Sequence, residues 1–214
     1  MNAPQIARVL GVAVAMTLAM LTGPINIPSA DAAPCPDVEV VFARGTGAPP
    51  GLGQVGQSFI DSLRPQIGGR SLGIYAVNYP ATWAFAESAN AGANDVSSHV
   101  QDMIGRCPNT RIVLGGISQG AGVMDFATNN MPPEAADHVA AVALFGNPSS
   151  ALAGALAGVA FPPVSPAYSG KTIDMCAQDD PACSGGLNPA AHGSYASNGM
   201  TADAATFVAG RLQG

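Results

Sequence analysis

The chain has 214 residues, 48% of them hydrophobic and only 10% charged, and its formal net charge is −6. Its eight lysines and arginines form no cluster, so it lacks the basic footprint of a phosphate-backbone binder, and no nucleic acid partner is expected. The length accommodates one compact domain with a sizeable core.

In chain order, Arg8 precedes thirteen apolar or small residues, Val9 to Leu21, followed by Gly23-Pro24 and Ala30-Asp31-Ala32. A basic start, a short apolar core and an A-x-A triplet form the pattern of a secretory signal peptide cut after Ala32. Thirteen residues fall short of the roughly 20 that a membrane-spanning helix needs, so a retained amino-terminal anchor is the weaker alternative. The expected division is therefore a signal peptide over 1–32 and a single domain over 33–214, with no transmembrane segment in the mature chain. The cut would remove Arg8 and Asp31 together and leave the charge at −6.

Apolar runs rich in β-branched residues predict strands at 38–43, 72–79, 111–117, 139–145 and 171–175. Helical patterns intervene near 55–63, 89–106, 121–129 and 203–212. Strands alternating with helices imply an α/β fold with a mainly parallel sheet covered on both faces. Near-continuous apolar character in 112–114 and 139–145 fits strands buried on both sides. Gly51-Leu52-Gly53-Gln54-Val55-Gly56 matches the dinucleotide fingerprint by letter. It stands seven residues beyond its strand, however, and the next strand ends in Asn78-Tyr79-Pro80, with no acidic residue for a ribose, so no nucleotide cofactor is expected. Residues 149–170, rich in alanine, glycine and proline, read as a mobile surface connection, with a lid as the lesser alternative.

Four cysteines in an exported chain imply two disulfides, with three connectivities open. Cys176 and Cys183 are close enough to pair locally, leaving Cys35 for Cys107. On the chain-entropy model the long bridge contributes roughly 4 kcal/mol and the short one roughly 2.5. The cysteines are scattered and no histidine pair has ligand spacing, so no metal site is expected.

Ser118 stands in Gly116-Ile117-Ser118-Gln119-Gly120, directly after the run Ile112-Val113-Leu114 and before a helical stretch of small residues. Strand, sharp turn and helix form the context of a nucleophile elbow, and the flanking glycines leave room for a serine on a strained turn. A glycine-rich turn without chemistry is the competing reading. A nucleophilic serine needs a base, and the chain offers only His99, His138 and His192. His99 falls inside a helix and His138 at the amino end of a strand, whereas sites in open parallel sheets form at the carboxyl ends. Both are expected to be surface or capping histidines. His192, in a loop after the last strand, is where a hydrolase with chain order Ser, Asp, His carries its base. The orienting acid falls among Asp174, Asp179 and Asp180, since Glu134 and Asp137 come too early. Asp174 belongs to the strand itself, so the turn between Cys176 and Cys183 is favoured, with Asp179 and Asp180 both open.

Four motifs together resemble one known family: Ala43-Arg44-Gly45-Thr46, Gly116-Ile117-Ser118-Gln119-Gly120, the octapeptide from Cys176 to Cys183, and His192-Gly193-Ser194-Tyr195. In order and over essentially the whole mature chain, they look like the cutinases, most of all the bacterial cutinase-like esterases. The resemblance implies a small α/β-hydrolase fold without a large lid, and it selects Asp180 as the acid. It further implies an oxyanion hole from the backbone N–H groups of Thr46 and Gln119. Two apolar loops, 80–85 with Trp83 and 185–191 with Leu187, resemble the lips of the cutinase acyl groove.

The reading implied is a secreted serine esterase that cleaves carboxylic esters with apolar, short to medium acyl chains through an acyl-enzyme. An ester or lipid substrate, no cofactor and a monomer are expected. An acyltransferase would use the same residues with a different acceptor. A non-catalytic binding protein on a hydrolase scaffold is the third reading.

Overall fold

The computed structural model describes residues 34–213; the expected signal peptide and its cleavage site lie outside them. Five parallel strands form one sheet in the order β2-β1-β3-β4-β5. They are β1 (Val38–Ala43), β2 (Leu72–Ala76), β3 (Arg111–Ile117), β4 (Val139–Phe145) and β5 (Thr172–Met175). The helices are α1 (Gly53–Leu63), α2 (Phe85–Arg106), α3 (Gln119–Asn130), α4 (Ala135–His138), α5 (Ala151–Ala157), α6 (Pro166–Ser169), α7 (Pro189–His192) and α8 (Met200–Gln213).

Burial explains why the central strands read as unbroken apolar runs. Side chains alternate across a strand, so one set from β1, β3 and β4 packs under α2 and α3 while the other packs under α1 and α8. All seven residues of β4 are buried, as are all six of β1. Phe42 of β1 fills the second layer against Phe59 and Phe145, with ring centroids 6.3 and 6.5 Å away. Gly56, the last glycine of the fingerprint-like stretch, makes room for that ring. A Cβ there would lie 2.7 Å from it.

β1 has β2 on one side and β3 on the other, so successive connections leave in opposite directions from it. The carboxyl ends of β1 and β3 meet at this switch point, with Ala43 beside Gly116, and the segments beginning at Arg44 and Ser118 emerge together.

Two expectations change. β2 stops at Ala76 and does not reach 79, because Arg44 claims the carbonyls beyond it. Its guanidinium donates to Tyr79 O at 2.7 Å and Val77 O at 3.4 Å, while Asp95 takes the Asn78 N–H at 2.9 Å. Residues 149–170 carry α5 and α6 and are pinned to the body, with Tyr168 only 1% exposed. The disulfides are Cys35–Cys107 and Cys176–Cys183, as the spacing led one to expect. No described helix is long and apolar enough to cross a membrane.

Candidate active site

Ser118 occupies the turn between β3 and α3 at φ 56° and ψ −123°, a backbone conformation that a residue with a side chain adopts only under strain. The neighbouring glycines permit it. A Cβ on Gly116 would lie 2.2 Å from Gly120 O, and one on Gly120 would lie 2.1 Å from Ala43 O. The Ser118 N–H is held by Phe145 O at 2.9 Å, which fixes the turn to β4.

Asp180 is fully buried, and three groups are aimed at its carboxylate. His192 Nδ1 lies 2.9 Å from both oxygens, the Ala182 N–H donates to Oδ1 at 2.7 Å and the Tyr195 hydroxyl donates to Oδ2. An acceptor-only carboxylate assigns the proton to His192 Nδ1 and leaves Nε2 free as a base. Asp179 is turned outward by its positive φ of 65° and is exposed. The short bridge between Cys176 and Cys183 closes the turn, and Asp180 and His192 meet across it.

Thr46 and Gln119, expected to supply the oxyanion donors, line the same cavity. The N–H of Gln119 is the first of α3 and has no acceptor within its helix, and the helix dipole adds positive potential there. Thr46 lines the same cavity, its hydroxyl oxygen is buried without a partner among the described residues, and the next N–H, of Gly47, donates to Ala81 O at 2.8 Å. The Gln119 side chain, 1% exposed, accepts from Ser88 Oγ at 2.9 Å and donates to Thr82 O at 2.8 Å. It thereby ties the loop bearing Trp83 to the serine turn.

The sequence pattern of the cutinase family matches residues 34–212. The chain belongs to the cutinase family. It is 55% identical to carboxylesterase Culp1 of Mycobacterium tuberculosis over 99% of this chain and 98% of that one. Phospholipase Culp4 of the same organism is 47% identical over 98% of this chain and 93% of its own. Among solved structures, a cutinase of Trichoderma reesei in complex with a phosphonate inhibitor aligns at a TM-score of 0.71 and 34% identity, covering 84% of this chain and 78% of that one. The α/β-hydrolase fold is therefore that of the cutinases.

In this member of the family, Ser118, His192, Thr46 and Gln119 all line one cavity of about 920 Å³. Its remaining walls are mostly apolar, as suits a site that holds a hydrophobic ligand with a few placed polar groups. Among the described residues no hydrogen bond joins Ser118 Oγ to His192, a contact that commonly tightens only around bound substrate. Trp83, 76% exposed, forms one lip together with Phe85, and the two rings meet edge to face at 5.8 Å. Leu187 is not in the lining; it is 81% exposed on the loop outside. The facing lip comes from Ala153, Leu156, Ala157 and Phe161, in the stretch read from sequence as a plain connection.

The other titratable groups fall elsewhere. His99 is a packed partner, neither a free surface residue nor a cap: its ring stacks 3.5 Å from Tyr75 and its Nε2 pairs with Glu39 at 2.9 Å. His138 ends α4 at the amino edge of β4. Asp174 sits in β5 and shares the Asn147 amide with Asp125, at 3.3 and 3.4 Å. Sequence reasoning passed over the Tyr195 hydroxyl and the Gln119 side chain. The signal for the first was its place three residues after His192; the second carried none.

Proposed function

We propose that this chain, a carboxylic-ester hydrolase by family, is a secreted serine esterase for esters of apolar, short to medium acyl chains. Ser118 attacks the ester carbonyl, and His192 takes the serine proton and passes it to the leaving alcohol. Asp180 holds the imidazole in its tautomer, and the N–H groups of Thr46 and Gln119 stabilise the oxyanion. Water then attacks the acyl-enzyme by the same proton relay in reverse. The observation that carries the reading is the buried Asp180 carboxylate 2.9 Å from His192 Nδ1, with that histidine lining the cavity of the strained Ser118.

The apolar lips support a hydrophobic acyl group, and the names of a carboxylesterase and a phospholipase among the relatives support an ester or lipid substrate. Two disulfides and the amino-terminal signal pattern support export to an oxidising compartment. The test is labelling with an active-serine phosphonate alongside turnover of p-nitrophenyl butyrate. The wild type should be labelled at Ser118, and Ser118→Ala and His192→Ala should each lose several orders of magnitude in turnover. Near-normal turnover in either variant would overturn the assignment, and preferential delivery of the acyl group to an added alcohol would make the chain a transferase.

A further inference from the structure

The lip opposite Trp83 is anchored at both ends. Ser150 donates its N–H to Ala182 O at 2.9 Å and its hydroxyl to Pro181 O at 2.7 Å, and it caps α5 by accepting the Ala153 N–H at 3.0 Å. Beyond α5, Asn129 Nδ2 of α3 donates to Pro163 O at 3.0 Å. Between these anchors the Phe161 ring lies on α3 itself. A Cβ at Gly122 would sit 2.3 Å from that ring, so glycine at this position makes the notch that receives it. Phe126 backs the ring with centroids 5.4 Å apart.

We propose that Phe161, seated in the Gly122 notch, restricts the enzyme to acyl chains that are unbranched next to the carbonyl. The proposal rests on the esterase reading above. Phe161 packs with the core layer under α2 and α3, whereas Ala191, beside His192, packs with the layer under α1 and α8. Phe161 and His192, which both line the cavity, therefore border it from opposite faces of the sheet, with Ser118 at its carboxyl edge between them. His192 must reach the leaving oxygen to protonate it, so the alcohol lies on that side and the acyl chain on the side of Phe161. Gly122 follows Ser118 by one helical turn, a rise of about 6 Å, so a ring held there borders the first carbons of the chain and not its far end. A methyl branch at the α-carbon meets the ring, while a straight chain passes along it towards Trp83.

The test compares p-nitrophenyl butyrate with p-nitrophenyl isobutyrate, the ratio of their kcat/KM values being corrected by the alkaline hydrolysis ratio of the free esters. One misfitting methyl in a shaped apolar pocket is worth about tenfold or more. Phe161→Ala should raise the isobutyrate-to-butyrate ratio by about that factor, and Phe161→Leu by less. Gly122→Ala, which pushes the ring towards the cavity, should lower the ratio. Thermal unfolding of each variant checks the fold, and if Gly122→Ala does not fold, the two Phe161 variants decide. A ratio unchanged in the folded variants, or moved the same way by Phe161→Ala and Gly122→Ala, would overturn the proposal while leaving the esterase reading standing. A wild type that hydrolyses neither ester would overturn both.

Discussion

Tyr195 donates its phenolic hydrogen to the Asp180 carboxylate at 2.5 Å, while the same oxygen accepts the Ala177 N–H at 2.9 Å. Both side chains are fully buried. Burial, and then the hydrogen bond to Asp180, push the phenol well above its ordinary range, so it stays protonated and keeps donating. The Tyr195 ring stands edge-on to His192, with centroids 6.4 Å apart. Tyr195 thus holds the acid from behind while the backbone of the disulfide-closed turn holds the tyrosine.

Tyr195→Phe should lower kcat and leave KM nearly unchanged. The ring packing is kept, and only the donor to a buried carboxylate is lost, an effect of about 1.5–3 kcal/mol for a charged acceptor and hence roughly 10- to 100-fold in rate. The rate of phosphonate labelling should fall in step, because it too depends on serine activation. A change in KM alone would make Tyr195 a packing residue without influence on the base.

Asp180→Asn should damage turnover far more than Asp179→Asn. Only Asp180 contacts His192, and an amide in its place can present its NH₂ to Nδ1 and favour the wrong tautomer. Asp179 points to solvent from a left-handed turn position, so its charge is screened and its loss should matter little. Steady-state kinetics on the two variants compare them directly, and the reverse order would move the acid by one residue.

The adjacent aspartates also mark where the sequence stopped being legible. The β3 strand, the Ser118 turn and α3 could be read because their causes are local: an apolar run, two flanking glycines and a helix former. Whether Asp179 or Asp180 faces inward depends on a backbone twist inside a cross-linked turn, and the chain's resemblance to the cutinase family supplied what periodicity could not. Leu156 and Leu187 make the same point. Both sit in small-residue stretches, and both are largely exposed, at 74% and 81%. Leu156 lines the cavity because Ser150 and Asn129 anchor its segment to residues distant in sequence, and no local pattern carries that information. Asp125 escaped notice for a related reason, since one polar residue in a helix reads as solvated until the packing shows it buried.

That buried acid should make stability depend on pH. Asp125 is 1% exposed on α3, and burial pushes its carboxyl up from 3.8 to about 7, with the Asn147 hydrogen bond opposing and Asp174 reinforcing the rise. A carboxyl whose folded value is raised binds more protons folded than unfolded between about pH 4 and 7. The fold therefore loses stability as pH rises through that window, and the loss is complete above it. At about 1.4 kcal/mol per pH unit the effect is bounded at about 4 kcal/mol. Asp125→Asn should remove part of this slope, gaining stability relative to the wild type from pH 5 to pH 8 in denaturant titrations. Parallel curves for the two proteins across that range would mean that Asp125 is ionised throughout.

Trp83 and Leu187 were expected to act alike as lips of the groove, and their positions now separate them. Trp83 borders the cavity, is tied to the serine turn through Thr82 and Gln119, and meets Phe85 edge to face. Leu187 stands outside it. Each methylene buried against a lip contributes about 0.8 kcal/mol, or about fourfold in kcat/KM, so a lip is felt only by chains long enough to reach it. Trp83→Ala should lower kcat/KM for p-nitrophenyl octanoate much more than for the acetate, because acetate ends near the reaction centre. Leu187→Ala should leave the whole chain-length profile where it is. An equal loss for acetate and octanoate in Trp83→Ala would assign Trp83 to support of the loop, and a loss confined to long chains in Leu187→Ala would return that loop to the groove.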